Sequence, residues 1–223
     1  MGQCNMRDYA DHYARICGAV DIPVYVDADT GFGGVNNVRQ MVRAFEAAGV
    51  AGLFISDQVF PNRCGYLPGK RIVPIEEMLA KIKAALDARQ DADLFIAART
   101  DAAGVDGVDA AIARCQLFME AGADMAKPTG VDTIAEIKRV LREVGGPHMA
   151  TLSQAAGPKA RSLAELEAAG VAAATFRRSR CLRPLTPCAT WCACSSGTTH
   201  SHRPRSISFR SRTITTSSAC RRC

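Results

Sequence analysis

The chain has 223 residues, of which 48% are hydrophobic. That is enough length and apolar content for one large domain with a real core, and no apolar run approaches the ~18 residues of a membrane span. The net charge of +6 is no argument for nucleic-acid binding, because residues 177–223 hold ten Arg and no Lys, Asp or Glu, which leaves 18 basic and 22 acidic residues, a net of −4, in residues 1–176.

Two periodicities alternate from residue 6 to residue 176. Met6, Tyr9, Tyr13, Ile16 and Val20 fall at helical spacing and lead to a short β run, Pro23 to Val26. Val38, Met41, Val42 and Phe45 mark a helix over 35–48, followed by a strand from Ala51 to Ile55. A helix over 75–88 leads to a strand from Leu94 to Ala98, and one over 107–120 to a strand at 124–126. A helix over 131–143 leads to His148–Leu152, and one over 162–168 to Val171–Phe176. The strands are apolar almost throughout, as parallel strands covered on both faces are. Ala48-Gly49-Val50, Ala121-Gly122-Ala123 and Ala169-Gly170-Val171 end three helices with a Gly suited to left-handed geometry. Such a βα repeat predicts a parallel sheet, doubly wound or closed as a barrel. No dinucleotide or phosphate-loop glycine motif is present. Polar residues collect after the strands instead, as at the C-terminal face of a (β/α)8 barrel. Six strands are visible where a closed barrel takes eight.

The N-terminus has no signal-peptide apolar core, and position 6 is Met where a myristoylation motif needs Ser or Thr. Cys4, Cys17, Cys64 and Cys115 form no Cys-x-x-Cys pair, which suits free thiols in a reducing, cytoplasmic setting.

Three strand ends carry chemistry. Val26-Asp27-Ala28-Asp29-Thr30-Gly31-Phe32-Gly33-Gly34 places two carboxylates where, read as strand, they share a face. Two such groups repel unless a hard cation lies between them. Ser56-Asp57-Gln58 is followed by a long loop, Phe60 to Arg71, with Cys64 near Arg63, Lys70 and Arg71, cations that favour a thiolate. Arg99-Thr100-Asp101 offers a guanidinium for a bidentate grip on a carboxylate or phosphonate, or for an ion pair with Asp101 or Asp57.

Taken in order and spacing, these segments, with Arg63-Cys64-Gly65 and Ala121-Gly122-Ala123-Asp124-Met125, resemble the isocitrate lyase/phosphoenolpyruvate mutase family over residues 6–176. The resemblance is to its 2-methylisocitrate lyase-like branch. It implies a (β/α)8 barrel, a homotetramer that exchanges its last helix, and Mg²⁺ (or Mn²⁺) held by Asp27 and Asp29. It implies Arg99, Gly65 and Asp57 at a carboxylate substrate, and Cys64 as the loop acid/base. The implied reaction is carbon–carbon cleavage of a 2-hydroxy dicarboxylate that releases a 2-oxo acid such as pyruvate. Oxaloacetate decarboxylation and phosphonate chemistry are the alternatives, and an inactive fragment or pseudoenzyme is a further one. No nucleic-acid or membrane partner is expected.

The chain also departs from the family pattern. Ser56 stands where the lyases have Glu, Asn62 and Tyr66 replace a Lys and a His beside the thiol, and Lys127-Pro128-Thr129 replaces a segment that carries a metal-region Glu. The first visible strand matches the family's third, so two strands and their loop are expected to be missing. From Arg177 the composition turns abruptly to Arg, Ser, Thr, Cys and Pro, as an out-of-frame or disordered tail would. An incomplete barrel of this kind is expected to expose apolar edges and to have little activity. Cys188, Cys192, Cys194, His200, His202, Cys220 and Cys223 match no regular zinc spacing.

Overall fold

A computed structural model describes residues 4–153 and 162–177. The chain runs α1 (Met6–Cys17), β1 (Tyr25–Asp27), α2 (Val35–Ala47), β2 (Gly52–Ser56), α3 (Ile75–Ala88) and β3 (Phe95–Thr100). A short 3-10 turn, Ala102–Gly104, precedes α4 (Val108–Glu120), β4 (Met125–Pro128), α5 (Ile134–Val144), β5 (Met149–Ser153), α6 (Leu163–Ala169) and β6 (Ala173–Arg177). Residues 178–223, on which the tail and zinc expectations fall, lie outside the described residues.

Every strand pair is parallel. β1 to β4 lie side by side in chain order, β5 pairs with β6, and an Ala126–His148 bridge joins the two groups. A doubly wound sheet reverses its strand order at a switch point. Here the order never reverses, which is the winding of a barrel wall. Among the described residues this wall is an arc of six strands, not a closed ring.

The β pleat sorts side chains to two faces. Val26, Leu53, Ile55, Ile96 and Ala98 face outward into a core with Tyr13, Val38, Met41, Phe45, Met78 and Ile82 from α1 to α3. Phe54, Ala97, Met125 and Met149 face inward, joined by Tyr25, Phe95 and Ala173. A third cluster seats α5 and α6 through Ile137, Val140 and Leu166. Capping boxes start α1 (Asn5 with Asp8), α5 (Thr133 with Glu136) and α6 (Ser162 with Glu165). Gly49, Gly122 and Gly170 have φ of 85°, 96° and 90°, the left-handed stops that the Ala-Gly repeats predict.

Several element boundaries differ from expectation by one to three residues, three of them for a clear reason. α1 ends at Cys17, capped by Gly18, so Val20 leaves the helical stripe and is 40% exposed. β2 and β3 run on into Ser56 and Thr100, because ladder hydrogen bonds continue after the apolar pattern has stopped. Among the described residues no helix is long and apolar enough to cross a membrane.

Candidate active site

The inward face turns polar at the C-terminal ends of the strands. Asp27 follows Tyr25 on that face, Ser56 follows Phe54, Arg99 follows Ala97 and Lys127 follows Met125. Register makes Asp27 a partner of Phe54, Ser56 of Arg99, and Arg99 of Lys127. One carboxylate, one hydroxyl and two cations thus ring the mouth of the arc.

Asp27 and Asp29 come together by a different route from the one their spacing suggests. β1 ends at Asp27, and Asp29 sits beyond it with φ +53°, so the two do not share a strand face. The Asp29 N–H donates to Asp27 Oδ1 at 2.8 Å, and Ser56 N–H donates to the Asp29 carbonyl at 2.8 Å. The Tyr13 hydroxyl, reaching from α1, donates to the Asp27 carbonyl at 2.7 Å. Gly31 (φ +85°) completes the turn; a Cβ there would lie 2.6 Å from Val38 Cγ2. Asp27 is exposed while Asp29 is 4% exposed, and Asp29 Oδ1 is buried with no hydrogen-bond partner. Burial, and next the charge of Asp27, push the Asp29 carboxyl above the usual carboxylate range. An orphaned carboxylate oxygen beside a second carboxylate fits a hard divalent cation, with water and substrate oxygens filling the remaining positions. Among the described residues no third His, Cys, Asp or Glu joins the pair, in keeping with Ser56 at the position where the lyases carry Glu.

Arg99 is paired with Asp101, Nη2 lying 2.9 Å from Oδ2, while its Nε is buried without an acceptor. Asp101 is fully buried and is also met by Lys70 Nζ at 3.5 Å and by the Ser56 hydroxyl at 3.4 Å.

The loop from Phe60 to Arg71 folds down onto this cluster. Gln58 pins it: its Nε2 donates to the Arg63 carbonyl at 3.0 Å and its Oε1 accepts from Arg63 N–H at 2.8 Å. Lys70 Nζ donates to the Gly65 carbonyl, which ties the cation expected to serve Cys64 to the loop backbone and Asp101 instead. Gly65 lies so close that a Cβ would be 2.8 Å from Arg99 Nη2 and 2.7 Å from Thr129 Cγ2. Cys64, a partly buried thiol outside any disulfide, precedes Gly65 in this loop.

Asp57 faces the other way, because it follows Ser56 on a pleated strand. Its carboxylate is fully buried and accepts from Thr100 Oγ1 (2.7 Å), Asp101 N–H (3.0 Å) and Arg114 Nη1 (3.2 Å). Burial raises its carboxyl, and these donors oppose the rise. The expected contact of Asp57 with substrate therefore gives way to a positioning role, setting the backbone on which Arg99 and Asp101 stand. Sequence reasoning passed over Arg114, which lies on a helix with no motif, and gave Lys127 no role. The alternation of β4 places Lys127 inside the barrel, its Nζ 3.7 Å from the centre of the Phe54 ring.

Comparison with known proteins agrees with this geometry. The family described as phosphoenolpyruvate phosphomutase matches residues 1–181. The chain is 43% identical over 154 residues to 2-methylisocitrate lyase of Aeropyrum pernix, a match that covers 69% of this chain and 49% of that protein. Among solved structures, 2,3-dimethylmalate lyase superposes with a TM-score of 0.74 at 31% identity, covering 79% of this chain and 60% of that one. Phosphonopyruvate hydrolase in complex with oxalate and Mg²⁺ superposes with a TM-score of 0.66 at 31% identity, covering 78% and 60%. The chain thus spans about half to three fifths of the length of these relatives.

Proposed function

The chain belongs to the phosphoenolpyruvate phosphomutase family, and from that premise we propose that its site is that of a carbon–carbon lyase which cleaves a 2-hydroxy dicarboxylate and releases a 2-oxo acid such as pyruvate. The observation that carries this reading is a complementary pair of orphans at one barrel mouth. Asp29 Oδ1 is a buried acceptor that lacks a cation, and Arg99 Nε is a buried donor that lacks an anion. A substrate carboxylate together with a divalent cation would satisfy both.

In this reading Asp27 and Asp29 hold the cation, Mg²⁺ or Mn²⁺. When bound, the cation supplies charge stabilisation for the enolate that forms as the C–C bond breaks. Arg99 fixes the substrate carboxylate, with Asp101 holding the guanidinium in place. Gly65 lets the loop backbone lie against Arg99 without a side chain between them, and the closed loop keeps water out. Cys64 delivers a proton to the departing carbanion. Tyr13 and Ser56 orient the carboxylate turn through its backbone.

The test is release of pyruvate from 2-hydroxy dicarboxylates, followed with Mg²⁺ and with EDTA. Mg²⁺-dependent release is expected, with D27N raising the Mg²⁺ concentration for half-maximal rate by about tenfold or more. C64S is expected to lower turnover by about 10²-fold or more. Release that ignores EDTA would sink the metal assignment. Turnover confined to oxaloacetate or to phosphonopyruvate would move the reading to decarboxylase or P–C chemistry.

A further inference from the structure

Three lysines are buried among the described residues. Lys81 pairs with Glu77 on its own helix at 2.8 Å, and Lys127 makes no ion pair among those residues and rests over the Phe54 ring. Lys70 differs from both, because it reaches from the loop after β2 into the site. Its Nζ donates to the Gly65 carbonyl and lies 3.5 Å from Asp101 Oδ1. Asp101, 0% exposed, also meets Arg99 Nη2 at 2.9 Å and the Ser56 hydroxyl at 3.4 Å. The fold makes room for the lysine at the turn Ala102–Gly104: a Cβ on Gly104 would lie 2.6 Å from Lys70 Nζ and 3.1 Å from its Cε. A side chain at 104 would therefore push the ammonium away from Asp101.

Two cations from two elements thus share one buried carboxylate. Among the described residues, Asp101 is the single carboxylate in ion-pair contact with Arg99 or with Lys70. Two positive charges stand against one negative charge, and Arg99 Nε has no acceptor. A desolvated excess of positive charge favours an arriving anion.

We propose that Lys70 is a positioning residue that latches the loop over Arg99 and couples loop closure to the presence of a carboxylate there. The inference rests on the reading that Arg99 takes a substrate carboxylate. Lys70 touches no reacting atom; it acts through Gly65 and Asp101. A carboxylate on Arg99 supplies the second negative charge and engages guanidinium donors, which leaves a larger share of Asp101 to Lys70. Lys70 then holds the Gly65 carbonyl, and with it the neighbouring Cys64, more firmly. Linkage makes the effect reciprocal: a loop held down by Lys70 tightens carboxylate binding by the same factor.

The test is the rate of Cys64 alkylation by iodoacetamide in the full chain, read by peptide mass mapping, with the buried Cys115 as the gauge of global unfolding. K70M removes the latch, and Gly104→Ala displaces it while meeting only the flexible end of the lysine. Without ligand, both are expected to speed Cys64 alkylation by about tenfold while Cys115 keeps its native rate. Oxalate with Mg²⁺ should slow Cys64 alkylation by about fivefold or more in the native chain and by less than about twofold in either variant. Where K70M does not fold, G104A decides alone. A native Cys64 rate in G104A, Cys115 rising in step with Cys64 in G104A, or equal protection by oxalate in native chain and G104A would each overturn the proposal. Calorimetry of oxalate binding and Mg²⁺-dependent pyruvate release separate it from the lyase reading. Oxalate that binds without changing the Cys64 rate, in a chain that releases pyruvate, defeats the latch and leaves the lyase standing. Faster Cys64 alkylation in both variants, with oxalate protection but no pyruvate release in the native chain, does the reverse. Absence of oxalate binding defeats the coupling together with the carboxylate site it rests on.

Discussion

The Asp57 carboxylate and the Lys127 ammonium are both buried at strand ends, yet they stand in opposite electrostatic circumstances. Asp57 has three donors, one of them the Arg114 guanidinium. Replacing Arg114 by Met leaves that charge buried and short of its counter-ion, and should cost about 3–5 kcal/mol of stability, read from urea unfolding. Lys127 lacks a counter-ion, so its removal has the opposite sign. The unfolded chain keeps the Lys127 proton up to the ordinary 10.5, the folded chain only to about 8. Folding therefore releases a proton between those values, and stability should climb as pH rises through that window. K127M should abolish the climb and gain ~1–3 kcal/mol at neutral pH; thermal unfolding from pH 7 to 10 checks both. At this scale the sequence singled out Asp27, Asp29 and Arg99 as candidates, because the motif spacing is distinctive, and the structure places them at neighbouring strand ends. The sequence was silent on the partners, because Arg114 and Lys127 reach the site across the fold.

At the scale of elements, the loop after β2 joins motif to geometry. Its length marked it as a long loop in the sequence, and Gln58 and Lys70 show how it is fastened. Gly65→Ala should push the loop off Arg99 and Thr129, since the new methyl would lie 2.7 Å from Thr129 Cγ2, 2.8 Å from Arg99 Nη2 and 3.1 Å from Asp101 Oδ1. Activity should fall by about 10²-fold from sub-ångström misplacement, with the unfolding midpoint nearly unchanged; turnover and urea curves measured together separate the two effects. The βα alternation was legible because each helix shows its apolar stripe and each strand its apolar run. The boundaries were less so: hydrophobicity fades at Ser56 and Thr100 while the ladder continues, and Gly18 ends α1 before its apolar pattern does.

Across the whole molecule, the proposed cation would couple to folding, because only the folded chain holds the left-handed turn that sets the buried Asp29 carboxylate beside Asp27. Mg²⁺ at about 100 times its dissociation constant should add about 2.7 kcal/mol to stability. The melting temperature should rise with Mg²⁺ in the native chain and stay flat in D29N, as calorimetry would read. The amino-acid sequence by itself determined the repeating βα order, the parallel sheet and the strand ends where polar residues collect, since these follow from local periodicity and from motifs contiguous in the chain. Only the tertiary structure decided which way each strand-end residue faces and what it meets. Asp29 reaches Asp27 through a left-handed turn and not along a strand, Asp57 turns outward to Arg114, and Lys127 turns inward over Phe54. The physical reason is that pleat direction and register are fixed by the packing of both sheet faces at once, and no local window of sequence contains both faces.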